Sequence, residues 1–255
     1  MAPFPASSSG TPWLRTFRPV DAPRIQLICF PHAGGTASFF RNWHQWAPQD
    51  WELSAVRYPG REERIAEPCP VSMAELAGQL ADVLAPAMGV PTVFFGHSMG
   101  ASVAHEVTAL LAARGAPAPR ALFVSGRAAP DRLRRMSDGE LDDDELLARV
   151  AGLGGPGAEL LQEPELRDLL LPPIRADYQL LDAYAAGPKA PAVDVPVTAY
   201  FGTDDPGPSP DDVRAWSELT TVGCETLAFP GGHFFLVPHE RDVVRDISAR
   251  LTALL

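Results

Sequence analysis

The feature that most constrains this chain is the hexapeptide Phe95-Gly96-His97-Ser98-Met99-Gly100. It lies between the apolar run Pro91-Thr92-Val93-Phe94-Phe95 and a helical pattern of Val103, Val107, Leu110 and Leu111 that lasts to Gly115. Gly-x-Ser-x-Gly at a strand-to-helix junction sets a serine on a strained turn, where two glycines relieve the clash of neighbouring backbone. A hydroxyl displayed on such a turn is a nucleophile, so one motif predicts both a supersecondary unit and a reaction class.

The remaining patterns supply a sheet to carry that unit. Ile25–Phe30 is a buried-strand run that ends in the glycine loop Pro31-His32-Ala33-Gly34-Gly35. A second strand is expected over Leu53–Arg57. Met73, Leu76, Leu80, Val83 and Leu84 then recur at helical spacing to about Gly89, with Ser72 as cap and Glu75 as its capping-box partner. Strands over Ala121–Ser125, Val195–Phe201 and Glu225–Phe229 and a closing helix from about Arg241 to Leu254 complete the alternation. Strands alternating with helices predict a mostly parallel, doubly wound α/β sheet.

Between Pro130 and Pro188 the alternation stops. The stretch reads as helices over Asp142–Val150, Pro164–Leu170 and Ile174–Tyr184 with no strand candidate. An insertion placed there sits above the C-terminal edge of the sheet, so residues 131–188 are expected to form a helical lid. The chain reads as one domain over residues 1–255, with residues 1–15 as a flexible leader rich in Ala, Pro and Ser.

Composition removes several function classes. A net charge of -11 repels nucleic acid and anionic lipid at long range. No apolar run approaches the roughly eighteen residues of a membrane span. Cys29, Cys69 and Cys224 are an odd number without a close pair, which argues against a disulfide framework and a cysteine metal site. Free thiols and the absence of a secretory signal at residues 1–10 make the cytoplasm the expected compartment.

A serine nucleophile needs a histidine base, itself oriented by a carboxylate. Of six histidines, His233 in Pro230-Gly231-Gly232-His233-Phe234-Phe235 follows a predicted strand near the C-terminus, where the order Ser, acid, His requires it. His44 and His105 fall in helical patterns and read as structural or exposed. His97 reads as packing beneath Ser98, His239 as a cap of the last helix, and His32 as either a pocket wall or a loop support. The acid is expected in Phe201-Gly202-Thr203-Asp204-Asp205-Pro206, after another strand. Asp205 is preferred with Asp204 in reserve, and either could instead be a turn aspartate capping a helix near Pro210. The oxyanion formed by attack on a carbonyl should meet the Met99 amide and one from His32–Gly35, for which Ala33 is the best candidate.

With these motifs in hand, the chain resembles the type II thioesterases that accompany modular polyketide synthases and nonribosomal peptide synthetases, within the α/β-hydrolase superfamily. The resemblance runs nearly end to end. It rests on Phe30–Gly35, Arg57-Tyr58-Pro59-Gly60-Arg61, Gly96–Gly100, Arg175-Ala176-Asp177-Tyr178, Gly202–Pro206 and Pro230–Phe235. It implies the α/β-hydrolase fold with a lid, a triad of Ser98, Asp205 and His233, and no metal or organic cofactor; its acid position favours Asp205 over Asp204. It further implies hydrolysis of aberrant or stalled short acyl groups from the phosphopantetheine arm of an acyl or peptidyl carrier protein, by a chain expected to act as a monomer. Leu146, Leu147, Leu160, Leu161, Leu169 and Leu170 could line an acyl pocket, although core packing is favoured for most. Arg127, Arg132, Arg134 and Arg135 form a basic cluster beside the lid that could attract an acidic carrier or the arm's phosphate. An oxygen-ester hydrolase or lipase, and a non-catalytic binding protein of the same fold, are the competing expectations.

Overall fold

Ile25–Phe30, Trp51–Val56 and Thr92–His97 are buried along their whole length, as strands are when helices cover both faces of a sheet. In a computed structural model, which describes residues 11–157, 160, 161, 163–188 and 190–254, these are β2, β3 and β4 of a seven-stranded sheet. The other strands are β1 (Leu14–Arg18), β5 (Leu122–Ser125), β6 (Val197–Gly202) and β7 (Cys224–Phe229). The spatial order is β1-β3-β2-β4-β5-β6-β7. β1 runs antiparallel to β3 and every other pairing is parallel. The helices are α1 (Met73–Leu84), α2 (Met99–Ala113), α3 (Asp143–Gly152), α4 (Pro164–Ala185), α5 (Pro210–Arg214) and α6 (Glu240–Leu254).

Alternate side chains of each strand feed opposite cores, because successive Cβ atoms point to opposite faces. Along β2, Ile28 and Phe30 join the core under α1 and α2 with Leu80, Val103 and Val107. Leu27 and Cys29 join the core under α6 with Trp43, Val244 and Ile247. From β2 the chain moves outward to β3 and then returns to β4 on the other side of β2, so the winding reverses between β2 and β4. Loops leaving the C-terminal ends of two such strands diverge and open a crevice. Those loops carry His32–Gly35 and Ser98.

Three expectations are corrected. β1 has no sequence signal of its own: Leu14-Arg15-Thr16-Phe17-Arg18 is a partly exposed edge strand, where charged side chains are tolerated. It therefore ends the expected leader early, since Leu14 and Arg15 pair with Val56 and Ala55; residues 1–10 of that leader lie outside the described residues. The two helices expected on either side of Pro172-Pro173 are one helix, α4. Proline removes the hydrogen bonds to the carbonyls of Asp168 and Leu169, but both residues are exposed, so water can serve those groups. Finally, Ser72 caps α1 by accepting from the Glu75 amide, whereas the Glu75 carboxylate takes the Val71 amide in place of that of Ser72.

The insertion between β5 and β6 has a small core of its own, made by Leu146, Leu161, Leu171 and Ile174. α3 is entered through a complete capping box of Asp142 and Glu145. Replacing a fully buried Leu146 with Ala costs about 2–5 kcal/mol by lost transfer energy and cavity formation. Because that cluster is separate from the two sheet cores, Leu146→Ala is expected to speed amide exchange in α3 and α4 while amides of β4 and β5 stay protected. Equal loss of protection in both regions would show that the insertion does not open by itself.

Candidate active site

Ser98 stands at φ 54°, ψ -118°, a positive φ that a residue with a side chain rarely adopts. Such a conformation costs about 1–3 kcal/mol and persists only where its surroundings enforce it. Here the Ser98 amide donates to the Ser125 carbonyl at 2.7 Å, and the Ser98 carbonyl accepts from Ala101. The two flanking glycines are demanded by distance. A Cβ at Gly96 would lie 2.2 Å from the Gly100 carbonyl oxygen, and one at Gly100 would lie 2.0 Å from that of Phe30. The elbow is thus wedged against the end of β2, beside the glycine loop.

His233 follows β7, and its Nδ1 lies 2.9 Å from Asp205 Oδ2. The Asp205 carboxylate is inaccessible to solvent and also accepts the Gly207 amide through Oδ1 at 2.8 Å. Asp204 is exposed, accepts from the Thr203 hydroxyl and does not reach His233. Neither aspartate caps α5, which is capped by Ser209. The acid and histidine loops are held together by close backbone approach: a Cβ at Gly202 would meet the carbonyl oxygens of Gly231 and Gly232 at 2.4 Å, and the Asp204 amide donates to Gly231.

The loop after β2 closes as a tight turn in which the Gly35 amide donates to the His32 carbonyl at 2.9 Å. Among the described residues the amides of Ala33 and Met99 donate to no protein acceptor. Ala33, Ser98 and His233 line one cavity of about 410 Å³. Phe39 and Phe234 wall it from the sheet side, while Val150, Leu153, Leu160, Leu161, Leu170, Ile174 and Tyr178 roof it from the insertion. Of the expected pocket leucines, Leu160, Leu161 and Leu170 reach this cavity, Leu146 is core and Leu169 is exposed. A concavity of about 550 Å³ at the opposite edge of the sheet, around Met88–Thr92 and Pro117–Arg120, contains no serine, cysteine or histidine. Volume therefore does not single out the candidate site; the convergence of a serine hydroxyl, a carboxylate-supported imidazole and a glycine loop does.

His97 is fully buried, its Nδ1 3.0 Å from the Ser125 hydroxyl and its ring 5.1 Å from that of His233. His32 lines the cavity with its ring 6.0 Å from that of His97. Burial, and then the charge of His233 and of Arg61, push His32 down to about 3. Burial with the charges of His233 and His32 holds His97 well below the usual imidazole range. His105 is buried against Trp216, His44 is half-buried with its Nδ1 against the Arg41 carbonyl, and the carbonyl of His239 accepts the Val243 amide at the start of α6.

The expected basic cluster is dispersed. Arg127 turns inward to donate to the Ser102 hydroxyl, Arg132 pairs with Glu218, Arg135 pairs with Glu140, and Arg134 is exposed near Asp212. What the sequence patterns did not single out is a buried ion pair between Arg61 and Asp177 beside the glycine loop. Its partners are 116 residues apart, and no local periodicity reports so distant a contact.

A family model described as Thioesterase domain matches residues 25–251. Thioesterase PikA5 of Streptomyces venezuelae is 38% identical over 240 residues, covering 94% of this chain and 85% of that protein. The type II thioesterase BorB from the borrelidin biosynthetic cluster superposes with a TM-score of 0.86 at 38% identity, over 94% of this chain and 97% of that one. RedJ, the thioesterase from the prodiginine pathway in Streptomyces coelicolor, superposes at 0.82 with 36% identity, over 93% and 91%.

Two imidazoles held neutral make stability depend on pH with a definite sign. An unfolded chain protonates His32 and His97 as pH falls below about 6.5, whereas the folded chain does not, so stability is lost on acidification through that value. Each suppressed proton contributes at most about 1.4 kcal/mol per pH unit. His97→Gln, which keeps a partner for Ser125, should therefore show a shallower fall in thermal stability between pH 6.5 and pH 4 than the unaltered chain. Parallel slopes would remove His97 from this account.

Proposed function

The chain belongs to the thioesterase family as a type II thioesterase of polyketide or nonribosomal peptide biosynthesis, and we propose that it clears aberrant or stalled short acyl groups from the phosphopantetheine arm of a carrier protein, using Ser98, His233 and Asp205. The observation that carries the residue assignment is the single cavity in which Ser98, the Asp205-supported His233 and the Ala33 loop meet beneath an apolar roof.

The Asp205 carboxylate accepts a hydrogen bond from His233 Nδ1–H, which fixes the tautomer that leaves Nε2 as the base. His233 Nε2 takes the Ser98 proton as Oγ attacks the thioester carbonyl. The oxyanion of the tetrahedral intermediate meets the amides of Ala33 and Met99, which no acceptor among the described residues occupies. Collapse breaks the carbon–sulfur bond, and His233 returns its proton to the departing thiol of the arm. A water then gives its proton to His233 and attacks the acyl-serine, a second tetrahedral intermediate collapses, and the carboxylic acid leaves as Ser98 regains its proton. Each member of this set is on one chain, so a monomer suffices for the chemistry.

The roof of leucine, isoleucine and valine gives an acyl chain an apolar environment, while Leu153-Gly154-Gly155-Pro156-Gly157 brings backbone close to the mouth. A Cβ at Gly155 would fall 2.7 Å from the Phe234 ring, so this loop lies directly on the aromatic wall.

Carrier-bound acyl thioesters and matched oxygen esters, each offered to the protein and to Ser98→Ala, test the assignment. Carrier thioester turnover should exceed ester turnover and fall by about 10⁴–10⁶ in Ser98→Ala. Faster ester turnover would make the protein an esterase instead. Asp205→Asn should lower kcat by about 10⁴-fold through the wrong imidazole tautomer, whereas Asp204→Asn, altering an exposed side chain, should stay within a few-fold; the reverse pattern would reassign the acid.

A further inference from the structure

The buried ion pair between Arg61 and Asp177 lies outside the triad, yet it touches the loop that holds Ala33. Arg61 follows β3 and Asp177 belongs to α4, and their side chains are 3% and 5% exposed. The contact is bidentate, with Nη1 2.6 Å from Oδ2 and Nη2 2.9 Å from Oδ1, the strongest arrangement available to these two groups. Burial alone works against charge on Arg61, but the charge and hydrogen bonds of Asp177 outweigh it and hold the guanidinium above its ordinary value.

Apart from the bond from Arg61 Nε to the Pro59 carbonyl, the remaining hydrogen bonds of the pair lead to the glycine loop. Asp177 Oδ2 accepts the Gly34 amide at 2.7 Å, and Arg61 Nη1 donates to the Gly35 carbonyl at 3.3 Å. Gly34 has φ +72°, and a Cβ there would stand 2.5 Å from Ile174, one turn before Asp177 on α4. One face of α4 is therefore seated on the tip of the turn. Tyr58, whose ring lies 5.4 Å from the Arg61 guanidinium, donates its hydroxyl to the Pro31 carbonyl at the start of the same loop.

We propose that Asp177, held by Arg61, is a positioning residue for the Ala33 oxyanion donor, and that through it the seating of α4 and the competence of the oxyanion hole are coupled. The inference rests on the acyl-enzyme reading given above. The Gly34 amide and the Ala33 carbonyl share one peptide plane, so drawing that amide to Asp177 sets the plane next to the His32–Ala33 peptide, which carries the proposed donor. The Gly35 carbonyl is fixed from the other side by Arg61. If α4 lifts, the carboxylate leaves with it, and the turn loses the acceptor that orients it.

The test must separate orientation from folding. Removing one partner strands the other as a buried charge, whereas replacing both with apolar groups of similar size does not. Arg61→Met/Asp177→Leu, verified as folded by thermal unfolding and near-ultraviolet circular dichroism, is therefore the principal variant. Its kcat is expected to fall by about 10²-fold, the scale of a lost oxyanion donor, on both carrier thioesters and oxygen esters, with KM changed less than about threefold. Affinity for an acyl trifluoromethyl ketone, which forms a tetrahedral adduct with Ser98, should fall in parallel with kcat/KM, while affinity for the matching non-reactive thioether should not.

A folded double variant with kcat within about fivefold of the unaltered protein, or with undiminished affinity for the ketone, overturns the proposal. Should the double variant not fold, Asp177→Asn, which keeps the volume, decides: a tenfold or greater loss of kcat with KM held supports the proposal, and unaltered kcat overturns it. The thioesterase reading fails separately, through the substrate preference of the unaltered protein.

Discussion

Everything in the site depends on two backbones approaching more closely than a side chain would permit. Ser98 is held at positive φ because the first turn of α2 passes directly beside β4 and the end of β2, with Gly96 against the Gly100 carbonyl and Gly100 against that of Phe30. That contact occurs at the place where the winding of the sheet reverses between β2 and β4. The same reversal that opens the crevice therefore sets Ser98 next to the loop that carries Ala33. Strain at the serine is sustained by the sheet, through the bond from the Ser98 amide to Ser125 at the end of β5.

A second close approach, of Gly202 to the Gly231–Gly232 backbone, does for Asp205 and His233 what the first does for Ser98. It brings the loops after β6 and β7 into contact, so Asp205 meets His233 without solvent. Behind His233 lie His97 and His32, each kept neutral chiefly by burial.

The helical insertion completes the site from above. Its own small core around Leu146 makes it a semi-independent body, yet α4 is tied to the catalytic layer through Ile174 on Gly34 and through the Asp177–Arg61 pair. Breaking that pair would leave charge in a low-dielectric interior, so it holds the apolar roof to the layer below.

The sequence by itself determined the strand-elbow-helix unit at Ser98, the mostly parallel sheet, the helical insertion and the segments holding Ala33, Asp205 and His233, because glycine spacing and apolar periodicity are local records of backbone geometry. Local pattern could not reveal β1, an edge strand with only one partner and little burial, nor the passage of α4 through Pro172-Pro173, which packing sustains against propensity. Between Asp204 and Asp205 the residue pattern alone barely discriminated, since adjacent aspartates differ only in the direction their side chains take after β6. Only tertiary structure set Asp205 against His233 and Arg61 against Asp177 across 116 residues. Contacts of that range are made when the sheet and its insertion close on one another, and no run of neighbouring residues encodes them.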